Sequence, residues 1–311
     1  RPDQVKFVTS LKTDLSRRDF TINAMALDLR GKLYDYFGGL KDLQLRMIRC
    51  VGLAEKRMAE DALRILRAVR FSSQLGFAVD RTLMEIIDRH VHLLEYVARE
   101  RITQEFRKLL AGQFAPLGLR LLINTGLAKK EPFLWLKGEL ETLSRYDLSA
   151  LKEEERWAFL LSLAPPERRR QFLKGFRLSK GFEREIMSVV HLLDQKPGCT
   201  TVDGLAPEEM VHWTAEQLKA LLKINQLLTK GKVSFQALTQ LDHVLKGLPI
   251  RSLRELAIDG HDLQRLFNRP PGPWIKKYLD KAFYAVLKGK VPNEQKAIFS
   301  FLLEREKDEV D

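Results

Sequence analysis

The chain has 311 residues, 45% of them hydrophobic, enough to bury substantial cores and to divide into roughly two to four modules. Its formal net charge of +12 favours a polyanionic partner, because Lys and Arg gain binding free energy by releasing phosphate counterions, without choosing among tRNA, mRNA, DNA and membrane. No apolar run approaches the ~18 residues of a membrane span, no signal peptide is present, and Cys50 and Cys199 fall in no CxxC or Cys/His spacing, so neither a disulfide framework nor a zinc site is indicated and a reducing cytoplasm fits.

The first residue is Arg1 rather than Met, which reads as a fragment or as a segment left out upstream. An extended run at Val5–Val8 precedes Ser10, the expected N-cap of a helix through the DLSRRD segment, Asp14–Asp19. Arg17, Arg18 and Asp19 admit two readings. They form a solvated helix end, or the planar guanidinium groups bind phosphate bidentately. Asn23, four residues beyond Asp19, shares its helical face and either joins those contacts or holds the local turn. Ala26–Leu29 and Lys32–Tyr36 alternate across Arg30-Gly31 as a β-hairpin. Two strands do not stand alone, so the remaining strands are expected upstream of Arg1. Gly38-Gly39 ends the hairpin before a short helix, with Asp35 and Asp42 as turn and capping residues.

The stretch Arg57–Phe77 carries Leu63, Leu66 and Val69 at helical spacing, broadened by Ala62 and Ile65, and predicts one amphipathic helix. Its other side carries Glu60, Asp61, Arg64, Arg67 and Arg70. Asp61 and Arg64, three apart, place an acceptor-only carboxylate beside a donor-only guanidinium on one helical face. Such a pair matches an amino donor next to a ring-nitrogen acceptor, the pairing edge of cytosine and adenine. Uracil and guanine present the opposite order and leave like facing like. The same spacing is also that of a plain solvated ion pair. Asp80 is an expected N-cap, and His90 and His92, two apart, do not suit a shared metal on a helix. Arg99–Gly112 predicts a helix with Ile102, Phe106, Leu109 and Leu110 inward, closed by Gly112, its charges bracing the Arg57–Phe77 helix from behind.

Helices then follow at Pro116–Thr125, Leu151–Ala164, Gly181–Leu193 and Ala215–Leu228, punctuated by Pro165-Pro166, Pro197-Gly198 and Gly231. The basic, Phe-bearing Pro165–Phe182 reads equally as a solvated helix pair or as the wall of an RNA groove. Near the end, Arg265, Arg269, Lys276, Lys277 and Lys281 surround Trp274, and Pro270, Pro271 and Pro273 fix the chain before a helix whose first turns carry lysines.

Four segments follow one another in order: DLSRRDFTINAMALD at Asp14–Asp28, DYFGGLKDL at Asp35–Leu43, EDALRILRAVRF at Glu60–Phe71 and ERITQEFRKLL at Glu100–Leu110. The series resembles the class II tRNA nucleotidyltransferase and bacterial poly(A) polymerase family, most closely its Bacillus-type CCA-adding enzymes. The likeness reaches the tail, where LAIDGHDLQRLFNRPPGPWIKKYLDKAF at Leu256–Phe283 is similar to theirs. The resemblance implies a mainly α, elongated, multi-domain protein whose N-terminal β-hairpin is left from an α/β nucleotidyltransferase head. Residues 1–52 would complete that head, 53–112 form a neck that recognises the base, 113–246 a body, and 247–311 a tail that grips the tRNA elbow.

The implied activity is template-independent addition of C, C and A to tRNA 3′ ends from CTP and ATP. Asp61 and Arg64 would read the base, and Arg17, Arg18, Asp19 and Asn23 would hold ribose and triphosphate. Glu60, Arg67, Arg70, Asp35, Glu100 and Arg101 would give support, and Arg265, Arg269, Lys276, Lys277 and Lys281 would contact tRNA. The implied cofactor is Mg²⁺, held by an Asp-x-Asp after a Gly-Gly turn. No such arrangement occurs in the chain, so the ligands are expected upstream of Arg1 and the chain alone is expected to be inactive. The implied setting is cytoplasmic, without membrane attachment, and the oligomeric state is left open. A poly(A) polymerase, a CC-only or an A-only enzyme shares these motifs, and a non-catalytic RNA-binding fragment is the reading from another class.

Overall fold

The computed structural model describes residues 10–307, and the extended run expected at Val5–Val8 lies outside them. The described chain is mainly α-helical with two small two-stranded sheets, in agreement with the expected class. It divides into two compact units, residues 1–195 and 196–311.

In the first unit the elements run α1 (Leu11–Leu15), β1 (Met25–Leu27), β2 (Leu33–Asp35), α2 (Gly39–Gln44), β3 (Met47–Ile48), α3 (Ala54–Glu60), α4 (Leu63–Leu75), β4 (Ala78–Val79) and α5 (Arg81–His90). There follow α6 (Arg99–Leu110), α7 (Ala115–Asn124), α8 (Lys137–Leu143), α9 (Glu153–Ser162), α10 (Pro166–Phe176) and α11 (Lys180–Gln195). The hairpin forms as expected, antiparallel, with Met25 opposite Asp35 and Leu27 opposite Leu33. Asp28 closes its turn, accepting from the N–H groups of Arg30 and Lys32, each at 2.9 Å. Parallel pairing of β3 with β4 ties the segment after the hairpin to the end of α4.

Three local expectations change. First, α1 stops at Leu15 and does not run through Asp19: Ser16 turns its hydroxyl back to Thr13 C=O at 2.7 Å, a local bond that competes with helix continuation. Ser10 sits at the N-cap in extended conformation, without a side-chain cap bond. Second, Arg57–Phe77 is two helices. Asp61 has φ −150° and ψ 99°, and its Oδ1 accepts from Leu63 N–H at 3.1 Å, so the carboxylate starts α4 instead of continuing α3. Third, α6 is capped at Ala111 and not at Gly112. A Cβ at Gly112 would lie 2.1 Å from Ser73 Oγ, so close packing on α4 requires that glycine.

Helix α4 packs between α6 and α7. Its apolar stripe, with Ile102, Phe106, Leu109 and Leu110 of α6, is buried. Below it an aromatic cluster of Phe106, Phe133, Trp157, Phe172 and Phe176 fills the core. Phe172 and Phe176 are thus interior, and Arg169 is buried against Asp194, which leaves Arg168, Arg170 and Lys174 as the exposed face of α10.

The second unit contains α12 (Pro207–Met210), α13 (Ala215–Lys230), α14 (Phe235–Gly247), α15 (Gly260–Phe267), α16 (Trp274–Leu287) and α17 (Gln295–Lys307). Leu263, Tyr278, Phe283, Val286, Ile298 and Leu302 form the core beneath α15, α16 and α17. The four helices expected from Pro116 to Leu228 are α7, α9, α11 and α13.

Candidate nucleotide site

Backbone pairing delivers Asp19 to α4. Phe20 forms an antiparallel bridge with Cys50. Thr21 N–H donates to Arg49 C=O at 2.9 Å, and Val51 N–H donates to Asp19 C=O at 3.1 Å. The fully buried Phe20 ring meets Phe71 of α4 edge-on, with centroids 5.5 Å apart. This docking sets Asp19 against the helical face that carries Arg64 and Arg67. Arg64 Nε donates to Asp19 Oδ1 at 2.8 Å, and Arg67 Nη2 lies 2.6 Å from Asp19 Oδ2. One carboxylate joins both guanidinium groups.

Arg64 Nη1 also donates to Arg57 C=O at 2.9 Å and to Glu60 Oε2 at 3.1 Å, and Nη2 reaches Arg17 C=O at 3.4 Å. Burial works against the Arg64 charge, but the hydrogen bonds to Asp19 and Glu60 outweigh it and hold the guanidinium above its usual pKa. Glu60 is held below the usual carboxylate range, first by its bond from Arg57.

Asp61 and Arg64 do not share one unbroken helix. Arg64 N–H donates to Asp61 C=O at 3.0 Å across the break, while the Asp61 side chain turns to Leu63 N–H and to Arg101 Nη2, the latter at 3.0 Å. A carboxylate offers roughly four lone-pair sites, so Asp61 keeps acceptor capacity. Arg64 keeps one Nη2 hydrogen without a partner among the described residues.

Arg17 and Arg18 are exposed in the turn before Asp19, and Arg18 lies 3.5 Å from Asp14. Asn23 Oδ1 accepts from Phe20 N–H at 3.2 Å, so it holds the turn that presents Asp19; the shared α-helical face does not exist because Asp19 lies in a bend and Phe20 is extended, ahead of a single 3₁₀ turn at Thr21–Asn23. Asp35 accepts from Gly39 N–H at 2.8 Å and Leu40 N–H at 2.9 Å. Burial opposes its charge, but these backbone donors prevail and lower its pKa. Buried Asp42 accepts from Thr21 Oγ1 at 2.6 Å and pairs with Arg49, which also reaches Asp80 at 3.1 Å.

Arg70 Nε lies 2.6 Å from Glu105 Oε2 in a buried ion pair that ties α4 to α6, although the N–H does not aim at that oxygen. Glu100 pairs with Arg177 at 2.6 Å. Asp80 caps α5 through Thr82 N–H, and the His90 and His92 ring nitrogens face the backbone carbonyls of Ile86 and Arg89. A cleft of about 670 Å³ opens between Arg49–Lys56 and Asp80–Arg89 and includes Cys50, whose thiol burial pushes up to about 11. Among the described residues no group of three or more His, Cys, Asp or Glu is placed to hold a metal ion.

In the second unit Arg265 is paired with Asp262 at 2.5 Å and Arg269 with Glu306 at 2.9 Å. Lys276 and Lys277 are exposed on α16, and Lys281 Nζ lies over the Tyr278 ring at 5.3 Å. Sequence reasoning missed a neighbouring cleft of about 250 Å³ lined by Lys281, Tyr284, Lys288, Lys290, Phe301 and Arg305. Besides Lys281, the Lys288-Gly289-Lys290 run was its visible sign. Arg305 comes from α17, beyond any local pattern.

The chain is 40% identical over 311 residues to the CCA-adding enzyme of Bacillus subtilis (strain 168), covering 97% of this chain and 75% of that protein. This chain belongs to the CCA-adding enzyme family. A second CCA-adding enzyme, from Geobacillus kaustophilus, is 38% identical over 314 residues, covering 98% of this chain and 75% of its own length. The fold matches that of the Bacillus stearothermophilus CCA-adding enzyme, solved in complex with CTP, with a TM-score of 0.86 and 35% identity over 98% of this chain and 76% of that one. Residues 1–49 match the poly A polymerase head domain, 76–135 the RNA and SrmB-binding site of polymerase A, and 148–302 the tRNA nucleotidyltransferase domain 2. As a member of the CCA-adding family the protein is a nucleotidyltransferase. Among the described residues no helix is long and apolar enough to cross a membrane.

Proposed function

We propose that the protein adds C, C and A to the 3′ end of tRNA from CTP and ATP without a nucleic-acid template, and that Asp61 and Arg64 select the base. The observation that carries this reading is the break between α3 and α4. It sets a carboxylate with spare acceptor capacity and a guanidinium with one spare donor at consecutive turns, each fixed by other residues. Asp61 accepts from the exocyclic amino group of cytosine or adenine, and Arg64 donates to the adjacent ring nitrogen. Uracil and guanine leave both groups unmatched, at a cost of about 1–3 kcal/mol for each buried polar atom.

Asp19 takes a ribose hydroxyl, and the exposed Arg17 and Arg18 take the triphosphate. The neck, residues 53–112, holds the base, the body spans 113–246, and the tail, 247–311, takes the tRNA backbone through Lys276, Lys277 and Lys281. Arg265 pairs with Asp262 and Arg269 with Glu306. Magnesium neutralises phosphate charge in such transfers, and none of the described residues is assigned to it. Extension of tRNA lacking its terminal nucleotides, with the 3′ ends sequenced, tests the reading. Ends that stop after C, C and A support it, and a long A tail overturns it.

A further inference from the structure

We propose that Asp19, beyond any contact with the sugar, is the positioning residue for base selection, so that base and ribose discrimination are set by one carboxylate. This inference rests on the reading of Asp61 and Arg64 as the base-selecting pair. Asp19 comes from the turn before β1, 45 residues from Arg64, yet its Oδ1 takes the Arg64 Nε hydrogen at 2.8 Å and its Oδ2 faces Arg67 Nη2 at 2.6 Å. Both partners of the Asp19–Arg64 pair are nearly excluded from solvent, with 13% and 12% of their side chains exposed. Glu60 and the carbonyls of Arg57 and Arg17 take three further Arg64 hydrogens. The direction of the one remaining Nη2 hydrogen is therefore fixed by the plane in which these acceptors hold the guanidinium, and among the described residues Asp19 alone accepts from Nε.

A carboxylate has roughly four acceptor sites; Arg64 occupies one of those on Asp19 and Arg67 Nη2 lies against the other oxygen as an ion pair. The others can receive a ribose hydroxyl while Arg64 stays aimed. Removing the Asp19 charge weakens the one hold on Nε and leaves Arg64 fixed mainly through its Nη1 and Nη2 hydrogens, so the guanidinium tilts about its last side-chain torsions and meets an acceptor or yields to a donor more evenly. Base selectivity then falls together with sugar selectivity.

The test measures the CTP:UTP and CTP:dCTP ratios of kcat/KM for the native protein and for Asp19→Asn, with CTP affinity and melting temperature measured alongside. The expected result is a fall of about tenfold or more in both ratios. A folded Asp19→Asn variant that loses the CTP:dCTP ratio but keeps the CTP:UTP ratio confines Asp19 to the sugar and overturns the inference. Should Asp19→Asn fail to fold, Asp19→Glu retains the charge but displaces both arginines by one methylene, and an unchanged CTP:UTP ratio there overturns it equally. Asp61→Ala and Arg64→Ala separate the two readings: if neither shifts CTP:UTP, base selection by the pair itself is wrong; if both do and Asp19→Asn does not, only the role of Asp19 is wrong.

Discussion

Arg64 and Asp19 stand 45 residues apart in the chain and meet with Nε 2.8 Å from Oδ1. That bond is one of several fixing a single guanidinium, whose planar fork serves acceptors in different directions at once. Lysine keeps the charge but cannot reach Asp19, Glu60 and the Arg57 carbonyl together. Arg64→Lys is expected to weaken CTP binding by about tenfold and to lower the melting temperature. Calorimetric titration with CTP and a thermal scan of the same sample check both.

The Arg70–Glu105 pair is buried between α4 and α6. Removing one partner strands a charge in the interior. Arg70→Met and Glu105→Leu are each expected to destabilise the fold by about 3 kcal/mol or more, while the double variant recovers most of the loss. Urea denaturation of the four proteins gives the cycle directly.

Burial pushes the Cys50 thiol from 9.0 up to about 11. The unfolded thiol ionises first as pH rises, so between about 9 and about 11 the unfolded chain binds fewer protons and folding stability falls with pH, by at most about 1.4 kcal/mol per pH unit for one group. Cys50→Ala is expected to lose this slope and otherwise to follow the native curve. Stability curves for both proteins across that window decide it.

In the second unit, Lys288, Lys290 and Arg305 line one cleft with Tyr284 and Phe301. If the tail takes RNA backbone, Lys290→Glu with Arg305→Glu weakens tRNA binding and flattens its log–log salt dependence by about 0.9 for each phosphate that is no longer neutralised. Fluorescence anisotropy over a salt series measures the slope. An unmoved slope removes this cleft from the RNA surface.

The apolar recurrence of Leu63, Leu66 and Val69 made the buried face of α4 legible, and the ordered motifs made the family legible. The break at Asp61 was hidden because that recurrence begins only at Ala62, beyond it, and so carries no sign of whether a helix continues across Asp61. The sign was Asp61 itself, a residue whose side chain captures a backbone N–H two positions on. The Asp19 bridge could not be read locally, since it depends on Phe20 docking against Phe71. The Arg101–Asp61 and Arg70–Glu105 pairs were foreseen only as charges bracing α4, because helical spacing gives a face but not the partner across it. Helical spacing also placed Phe172 and Phe176 beside basic residues without showing that they point into the core.

The preference of the enzyme for CTP over UTP, as a ratio of kcat/KM, tests the base-selecting pair most directly when measured in the native protein and in Asp61→Ala. Loss of the carboxylate that accepts from the cytosine amino group should lower the ratio by about tenfold or more, mainly through CTP. A variant that folds, turns over CTP and keeps the native preference contradicts selection by Asp61 and Arg64.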